Sequence, residues 1–508
     1  MSTAAAEAEP QGAYRPPPPS VTLHTLDGPQ GRLRYQATAG YLDLVEEDPT
    51  GPEAKPPRAT ARVFLTSYVA LPDESNPAPS ASLKRPVVFV FNGGPGSSSA
   101  WLHLGLFGPR RVVALDGDRR LPPPPELVDN LETPLYQADL VLVDPVGTGF
   151  SRAIEGEDPH RHHGVEEDVE SVSEVIRLWL ARNGRWGSPV FIAGESYGVL
   201  RGTKIAAHLA TRHGLYLAGL ILISSSLGGS GFGPGGFLAS PGFLPTYAAV
   251  AHYHGLHPGR ELEDVVAEAE RYTLEEYVPL LLQGNRASDE DRRRGIGGLA
   301  KLTGLSESFI DRANLLIDRR RFQTELLRDR GLVVGEIDGR ITGWNPDRAA
   351  ELPLRDPTDD ALRGAYAAGI NHYLRNELGF ETDLPYEVLS DRVQPWKPAQ
   401  GKPFGGFGSV QALGLALRTN PHLKIFYQLG YYDVCVPYFA AHQDLAELEI
   451  PEELRAGIRV EHYKSGHMIY VDEPSRLAET AHIAEFLEES GRAWAIARGK
   501  AGGGGDQG

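Results

Sequence analysis

The sequence is poor in cysteine and in long hydrophobic runs. Cys435 is the single cysteine among 508 residues, which excludes an intrachain disulfide and a metal cluster built from several cysteines. A chain without disulfides is typical of a reducing compartment, with a disulfide-free secreted protein as the alternative. No apolar run approaches the roughly 18 residues that span a bilayer. The first twenty residues lack the basic and apolar regions of a signal peptide. We therefore expect a cytoplasmic protein without a membrane partner.

Positive charge is also scarce. The chain has 50 Lys and Arg against 67 Asp and Glu, which gives a formal net charge of −17. An acidic chain repels nucleic acids and anionic membranes, so neither is expected as a main partner. The 41% of apolar residues is ordinary for a folded protein with a substantial core. Composition carries no signal for a particular oligomeric state.

Residue patterns divide the chain into five stretches. Residues 1–20 are rich in Pro and Ala and are predicted to be disordered, and 491–508, which end in RGKAGGGGDQG, are predicted to be a flexible tail. Strand and helix patterns alternate in 21–227 and again in 402–490. Between them, 228–401 begin Gly- and Pro-rich and continue with charged helical patterns. We interpret 228–401 as a helical insertion, or cap, over a sheet built from both flanks; a separate middle domain on linkers is the alternative.

Two kinds of strand pattern precede the insertion. Alternating stretches between 21 and 72, such as RVFLTSYVA, indicate antiparallel strands. Continuous apolar runs, typical of parallel strands covered on both faces, follow at 86–91, 138–143, 189–193 and 220–224. Helical patterns at 165–182 and 200–213 separate the later runs, and the strand pattern resumes at 422–427. This alternation predicts an α/β fold with a mixed, mostly parallel sheet flanked by helices.

Ser196 lies in the pentapeptide GESYG, between the apolar run PVFIA and the helical pattern VLRGTKIAAHLA. A serine in a sharp strand–turn–helix connection is the nucleophile elbow of α/β hydrolases, in which flanking glycines lift the hydroxyl above the sheet. The pentapeptide alone occurs by chance in many chains, and an ordinary Gly-rich turn is the alternative. The strand before it and the helix after it favour a nucleophile.

A nucleophilic serine needs a base and an acid that orients the base, and in α/β hydrolases the chain order is Ser, acid, His. Asp433 follows the strand pattern LKIFYQL, and His467 follows the strand pattern IRVEHY in the turn KSGHM. The carboxyl ends of parallel strands meet at one edge of a sheet, so both side chains are candidates for this edge. Position alone leaves each assignment open.

Five motifs together resemble the serine carboxypeptidase family of α/β hydrolases. They are NGGPGSSS at 92–99, DPVGTGFS at 144–151, GESYG at 194–198, YDVCVP at 432–437 and GHM at 466–468. They occur in the family's order over most of the chain between about Arg62 and Arg476. The resemblance implies an α/β-hydrolase fold with a cap, no metal and no cofactor, and a peptide substrate with a free C-terminus. It implies that Ser196, Asp433 and His467 are nucleophile, acid and base.

The loop NGGPG after the first parallel strand cannot form a helix, but it can present bare backbone N–H groups. Attack on an amide carbonyl places negative charge on oxygen, and N–H groups stabilise it. The N–H of Tyr197, which follows the nucleophile, is one expected donor, and the resemblance implies Gly94 as the other. It also implies that Asn92, Gly93 and Glu195 bind the substrate carboxylate. A tight turn after a strand and a phosphate-binding loop are the alternatives, but the GxxxxGK[ST] and GxGxxG patterns of a phosphate-binding loop are missing here.

The sequence also departs from the family. Eukaryotic members carry a second Glu two residues before a Gly-Pro pair, where this chain has Leu106. Without a like-charged neighbour, one cause of a raised Glu195 pKa is missing, so a preference for acidic pH is not assured. The stretch 224–226, SSS, replaces the Gly-Asn-Gly that members often show. The chain therefore resembles bacterial, disulfide-free relatives.

Other candidates carry less chemistry. The HRHH stretch at 160–163 could bind a metal, but a solvated loop is the favoured interpretation. Asp318 and the arginines after it indicate a charged helix face, and Asp144 is expected to shape a loop. Ser97 to Ser99 have no elbow context. The expected function is a serine-type carboxypeptidase that works through an acyl-enzyme. An esterase or acyltransferase with the same triad, and an inactive binding protein on this fold, are the alternatives.

Overall fold

The computed structural model describes residues 14–48, 55–72, 85–116, 119–228, 231–398 and 408–502. Most of the predicted disordered N-terminal stretch, 1–13, and the predicted boundary at 401/402 lie outside these residues. The strands are β1 (Ser20–Gly28), β2 (Gly31–Asp48), β3 (Lys55–Ala70), β4 (Val87–Phe91), β5 (Arg110–Val113), β6 (Leu115–Asp116), β7 (Arg119–Arg120), β8 (Glu126–Asp129), β9 (Asp139–Val143), β10 (Arg152–Ala153), β11 (Val190–Glu195), β12 (Gly219–Ile223), β13 (Leu332–Val334), β14 (Thr342–Trp344), β15 (Lys424–Gly430) and β16 (Ile458–Tyr463).

The α-helices alternate with strands in the two flanking regions, whereas those between residues 239 and 325 follow one another without a strand between them. They are α1 (Ala100–Leu102), α2 (Val165–Arg182), α3 (Tyr197–His208), α4 (Ala239–Tyr253), α5 (Leu262–Tyr272), α6 (Val278–Gln283), α7 (Asp289–Thr303), α8 (Glu307–Arg312), α9 (Arg319–Glu325), α10 (Pro357–His372), α11 (Ser409–Thr419), α12 (Tyr438–Ala446), α13 (Glu452–Arg455) and α14 (Glu473–Gly502). Within the described residues, none of these helices is long and apolar enough to cross a membrane.

Ten strands form one mixed sheet. Its order is β1-β2-β3-β9-β4-β11-β12-β15-β16, with the short β10 paired to β3. The first three strands pair antiparallel with one another, and β3 pairs antiparallel with β9. The six strands from β9 to β16 in this order run parallel. The predicted α/β fold with a mostly parallel sheet is confirmed, and the long apolar runs are its central strands.

The parallel strands are buried on both faces because helices cover both sides. Along β4, Val87 and Phe89 face one apolar cluster while Val88 and Val90 face another. This alternation is the two-residue period of a strand. The first cluster includes residues of α2, α3 and α11, and the second includes residues of α14 and α10. The continuous apolar runs in the sequence therefore reflect a sheet between two helical layers.

The region 228–401 contributes helices α4 to α10 and the hairpin β13–β14. Its residues share the core of the sheet. Tyr247 of α4 belongs to the first cluster together with Phe439 of α12, and Tyr366 of α10 belongs to the second. Apolar contacts thus fix this region directly on the sheet, on both of its faces.

The prediction of a flexible tail from residue 491 is wrong for 491–502, because α14 continues to Gly502. The stretch 492–498, RAWAIAR, consists largely of good helix formers. Trp494 also packs against the second apolar cluster, which holds this part of the helix on the sheet. The glycines at 503–505 and the residues after them lie outside the described part of the chain.

Candidate active site

Ser196 occupies a strained turn between β11 and α3. Its backbone has φ 60° and ψ −128°, a conformation that costs a non-glycine residue roughly 1–3 kcal/mol. The Ser196 N–H donates to the carbonyl of Ile223 at 3.0 Å, which fixes the turn to the end of β12. A Cβ on Gly194 would lie 2.2 Å from the Gly198 carbonyl oxygen, so only glycine permits this close approach. The geometry is that of a nucleophile elbow.

The NGGPG loop lies directly on this turn. A Cβ on Gly93 would lie 2.3 Å from the backbone nitrogen of Tyr197, so loop and elbow are in contact. Gly94 has φ +100°, in the region that favours glycine. Among the described residues, neither the Gly94 N–H nor the Tyr197 N–H donates to another backbone group. Both predicted oxyanion donors are therefore free, on two segments that touch.

Asp433 and His467 form a buried pair at the same edge of the sheet. They follow β15 and β16, which continue the parallel order after β11 and β12. The Nδ1–H of His467 donates to Asp433 Oδ2 at 2.7 Å. Asp433 Oδ1 accepts from the N–H groups of Cys435 and Val436 at 2.9 and 2.8 Å. The carboxylate is thus held on one side and orients the imidazole with the other.

The electrostatics of this pair favour a charged imidazole. Burial alone lowers the pKa of His467, but the charge and hydrogen bond of Asp433 raise it to about 9. Burial raises the pKa of Asp433, and the His467 charge opposes this shift. Among the described residues, no hydrogen bond joins the Ser196 hydroxyl to His467. Such bonds are often long in the free enzyme and tighten when substrate binds.

Glu195 and Asn92 meet beside the elbow. Asn92 Nδ2 donates to Glu195 Oε1 at 2.9 Å, and Asn92 Oδ1 accepts from the Leu102 N–H at 3.0 Å, which fixes the amide orientation. Burial raises the pKa of the Glu195 carboxyl to about 7, against the lowering effects of His467 and of the Asn92 hydrogen bond. The sequence left this shift in doubt because of Leu106. The structure shows that burial provides it.

A buried arginine supports both the glycine loop and the elbow. The sequence analysis did not single it out. Arg201 of α3 is 1% exposed and donates from Nη1 to the Asn92 carbonyl at 2.5 Å. Its Nε donates to Asp168 of α2 at 2.7 Å, and the Tyr197 hydroxyl donates to the same carboxylate at 3.2 Å. Arg201 therefore ties the glycine loop to the helix that begins directly after Ser196.

Residues of the insertion hold the acid and base loops. The His467 N–H donates to the Ile337 carbonyl at 2.7 Å, and the Gly466 N–H donates to Asp338 at 3.2 Å. Arg319 donates to the Cys435 carbonyl at 3.0 Å. Arg319 belongs to the stretch that the sequence indicates as a charged helix face; it begins α9, and besides its ion pair with Glu336 it makes this contact to the acid loop. Nothing in the local sequence shows these contacts, because each joins segments more than 100 residues apart.

The remaining candidates from the sequence, Asp144 and the HRHH stretch, lie away from the Asp433–His467 pair. Asp144 Oδ1 accepts from the N–H and hydroxyl of Ser99 at 2.8 Å, which joins two of the loops. The interpretation of HRHH as a solvated loop is wrong for His162 and His163, which are 8% and 1% exposed because their segment packs under α2 and the Gly147 turn. Their unpaired ring nitrogens do not gather with other metal-ligating side chains in the described part of the chain.

One group of side chains could geometrically accept a cation. Ligand atoms of Asp433, Cys435 and His467 lie within 4.8 Å of one another. The Asp433 carboxylate, however, is already occupied by His467 and two N–H groups. Burial and the Asp433 charge raise the pKa of the Cys435 thiol, so it stays protonated and is a poor ligand. The donor set fits an acid–base pair better than a metal centre.

Comparisons with known proteins agree with this geometry. The model of a family described as serine carboxypeptidase matches residues 74–223. The pheromone-processing carboxypeptidase KEX1 of the yeast Meyerozyma guilliermondii is 33% identical over 123 residues, 24% of this chain and 17% of that relative. The alignment therefore spans less than a fifth of the relative's length.

A solved structure shares the fold. The prohormone-processing carboxypeptidase Kex1(Δ)p of Saccharomyces cerevisiae superposes with a TM-score of 0.54 at 14% identity, over 89% of this chain and 91% of the other. The family match at 74–223 contains the glycine loop and the elbow. The narrower likeness to bacterial, disulfide-free relatives stays a prediction. The matched segment, the shared fold and the site geometry agree with a resemblance of this chain to the serine carboxypeptidase family of α/β hydrolases.

Proposed function

We propose that this protein is a serine-type carboxypeptidase that releases C-terminal residues from peptides through an acyl-enzyme on Ser196. One observation carries the proposal. The Asp433–His467 pair, joined at 2.7 Å, follows β15 and β16 of the parallel sheet in which β11 ends at the strained Ser196, and the Gly94 and Tyr197 N–H groups beside Ser196 donate to no other backbone group among the described residues. A base with its acid, a lifted hydroxyl and two free donors are the parts that acyl transfer needs.

Each part has a step in the reaction. The Ser196 oxygen attacks the scissile carbonyl carbon while His467 Nε2 takes its proton, and Asp433 at Nδ1 stabilises the imidazolium. The N–H groups of Gly94 and Tyr197 donate to the oxyanion. His467 then gives the proton to the leaving amine, and the C–N bond breaks. Water, deprotonated by His467, then attacks the ester carbon; the bond from this carbon to the Ser196 oxygen breaks, His467 returns the proton to that oxygen, and the shortened peptide and free Ser196 are released.

Specificity for a free C-terminus follows from Glu195 and Asn92. A protonated Glu195 donates a hydrogen bond to the substrate carboxylate, whereas an ionised Glu195 repels it in a buried site. Because burial raises the pKa of Glu195 to about 7, the protonated form is available at mildly acidic pH. Asn92 and the N–H of Gly93 complete the contact in this proposal.

The first test compares a blocked dipeptide with a free C-terminus, the same dipeptide as its C-terminal amide, and a simple ester. Preference for the free acid by about 100-fold in kcat/KM, on the order of a lost charge-assisted contact, supports the proposal. Equal use of amide and ester with no preference for the acid points to the esterase or acyltransferase. A Ser196→Ala variant that still hydrolyses the free acid contradicts the mechanism.

The inactive binding protein is tested without any substrate. A fluorophosphonate probe should label the protein once, and Ser196→Ala should abolish the label. Ser98→Ala is a matched control, because Ser98 is buried outside the elbow and its hydroxyl bonds the Val388 carbonyl. Labelling in this control should remain. A wild-type protein that the probe does not label contradicts an activated nucleophile.

A further inference from the structure

Next to Glu195 lies a buried polar cluster that the proposed mechanism does not use. Glu479 of α14 is 0% exposed, and neither of its carboxyl oxygens has a hydrogen-bond partner among the described residues. Glu195 Oε2 and the Tyr470 hydroxyl are also buried and unpartnered. Buried polar atoms are nearly always paired. Four unpaired atoms on three residues that influence one another therefore indicate a shared function.

The three buried groups affect one another's pKa. Burial raises the pKa of Glu479 well above its ordinary value, and the Glu195 charge adds to this. The pKa of Tyr470 is raised by burial and by the charges of Glu195 and Glu479. The Tyr470 hydroxyl is near enough to lower the pKa of Glu195, yet the contact lacks the geometry of a hydrogen bond.

The walls of the cluster leave little room. A Cβ on Gly105 would lie 2.3 Å from the Tyr470 ring and 2.9 Å from the Tyr366 hydroxyl, so both tyrosines pack against this turn. Arg476, three residues before Glu479, is the nearest opposite charge, but its guanidinium donates to Glu132, Glu473 and Asn130. The titratable groups that interact with the cluster are Asp433, His467, Tyr366, Tyr463 and Arg476, and Arg111 acts on Tyr366.

We propose that Glu479 is a positioning residue that acts through Glu195. Burial favours the protonated form of the Glu479 carboxyl. Its O–H and the Tyr470 hydroxyl supply, directly or through one enclosed water, the hydrogen bonds that Glu195 Oε2 lacks. This network fixes the Glu195 carboxyl and sets the pH at which it ionises. The hydrogen bonds of this network do not depend on which reaction the protein catalyses. Their effect on substrate binding rests on the proposed function.

Stability against pH tests the buried neutral acid without any substrate. An acid whose pKa is raised in the folded protein stabilises it fully below the unfolded value of 4.5 and loses this contribution as pH rises. Glu479→Gln has no proton to lose. The melting temperature of Glu479→Gln, measured relative to that of the wild type, should therefore rise by about 1 °C per pH unit above pH 4.5. Glu489→Gln, on the exposed side of the same helix, should show no such trend. A Glu479→Gln difference that is independent of pH overturns the proposal.

Kinetics test the link to Glu195. Glu479→Leu removes the donor, so KM for a free-acid dipeptide should rise about tenfold, on the order of one lost buried hydrogen bond, with kcat little changed. The pH at which KM begins to rise should move upwards, because an ionised Glu195 loses a donor. Glu479→Gln, which keeps a donor, should stay near the wild type.

The amide substrate and a Glu195→Gln background complete this test. KM for the C-terminal amide should be unaffected by Glu479→Leu, and in the Glu195→Gln background Glu479→Leu should have no further effect on the free acid. An equal effect on acid and amide, or an undiminished effect without Glu195, overturns the proposal. If the protein is not a carboxypeptidase, the free acid is not cleaved at all, while the stability test still decides the state of Glu479.

Discussion

The two halves of the site are held in different ways. The nucleophile half, the loop at 92–96 and the elbow at 194–198, rests on backbone packing between adjacent parallel strands, where Phe91 of β4 pairs with Gly194 of β11. The acid–base half, Asp433 and His467, rests on loops after β15 and β16 that the insertion supports. Ile337 and Asp338 bind the base loop, and Arg319 binds the acid loop.

This difference determines how each half can fail. In the nucleophile half, glycines allow contacts that any side chain would prevent, so steric change is the main threat. In the acid–base half, charges and side-chain hydrogen bonds set the imidazole, so loss of a partner is the main threat. A substitution that adds bulk should therefore be severe in the nucleophile half and mild in the acid–base half. A substitution that removes a hydrogen-bond partner should show the opposite pattern.

Asp433→Asn is expected to have the largest effect. An amide at this position offers an N–H to His467 Nδ1 and stabilises the wrong tautomer, with the proton on Nε2. We expect kcat to fall by about 10,000-fold, as in other triads, with KM and melting temperature little changed. Steady-state kinetics on the free-acid dipeptide measure this. A loss under tenfold would show that Asp433 does not orient the base.

Gly93→Ala is expected to be next. Its Cβ would lie 2.3 Å from the Tyr197 nitrogen, so the loop must move away from the elbow and Gly94 must move with it. The cost of one misplaced oxyanion donor is about 100- to 1,000-fold in kcat. Gly364→Ala is the matched control, because nothing lies within 4 Å of its Cβ in α10. The control should keep full activity, and a fully active Gly93→Ala would contradict the role of this loop.

The sequence analysis succeeded where the chemistry is local. The helix predicted at 165–182 has the bounds of α2, and the apolar runs are the central strands of the sheet. The helix predicted from residue 200 begins earlier, at Tyr197, because the strained Ser196 ends the turn and starts the helix at once. The residues that fix this turn lie within a few positions of one another, so the local sequence predicts it.

The sequence could not show side-chain partners from distant segments. Asp338 contacts the base loop 128 residues away, and Glu479 reaches the Glu195 cluster from a helix with an ordinary charged pattern. The sequence left a raised pKa of Glu195 in doubt, because the missing charge at Leu106 is visible in the sequence whereas the burial of Glu195 is not. Buried polar contacts depend on the packing of elements, which no local pattern encodes.

The pH dependence of substrate binding tests Glu195, an ionisable residue of the nucleophile half. Above about pH 7 Glu195 ionises, because burial raises its pKa only to that value. KM for the free-acid dipeptide should then rise about tenfold per pH unit. KM for the C-terminal amide should show no such rise, and Glu195→Gln should remove it for the acid. Parallel pH profiles for acid and amide would contradict carboxylate recognition by Glu195.

Asp338→Ala is expected to have the smallest of these effects, and it tests the support of the acid–base half alone. Asp338 is 0% exposed, accepts from the Gly466 N–H and pairs with Arg340, which also donates to the Lys464 carbonyl. Its loss should loosen the base loop and lower kcat about fivefold on acid, amide and ester alike, on the order of one hydrogen bond.

Two variants separate this support from general damage. Asp338→Asn keeps an acceptor for the Gly466 N–H and should recover most of kcat, whereas Asp383→Ala, at a fully exposed position, should change nothing. KM should stay constant in all three, because the nucleophile half and Glu195 are untouched. If Asp338→Ala raised KM for the free acid alone, the insertion would act on carboxylate binding, and the division of the site into two independently supported halves would be wrong.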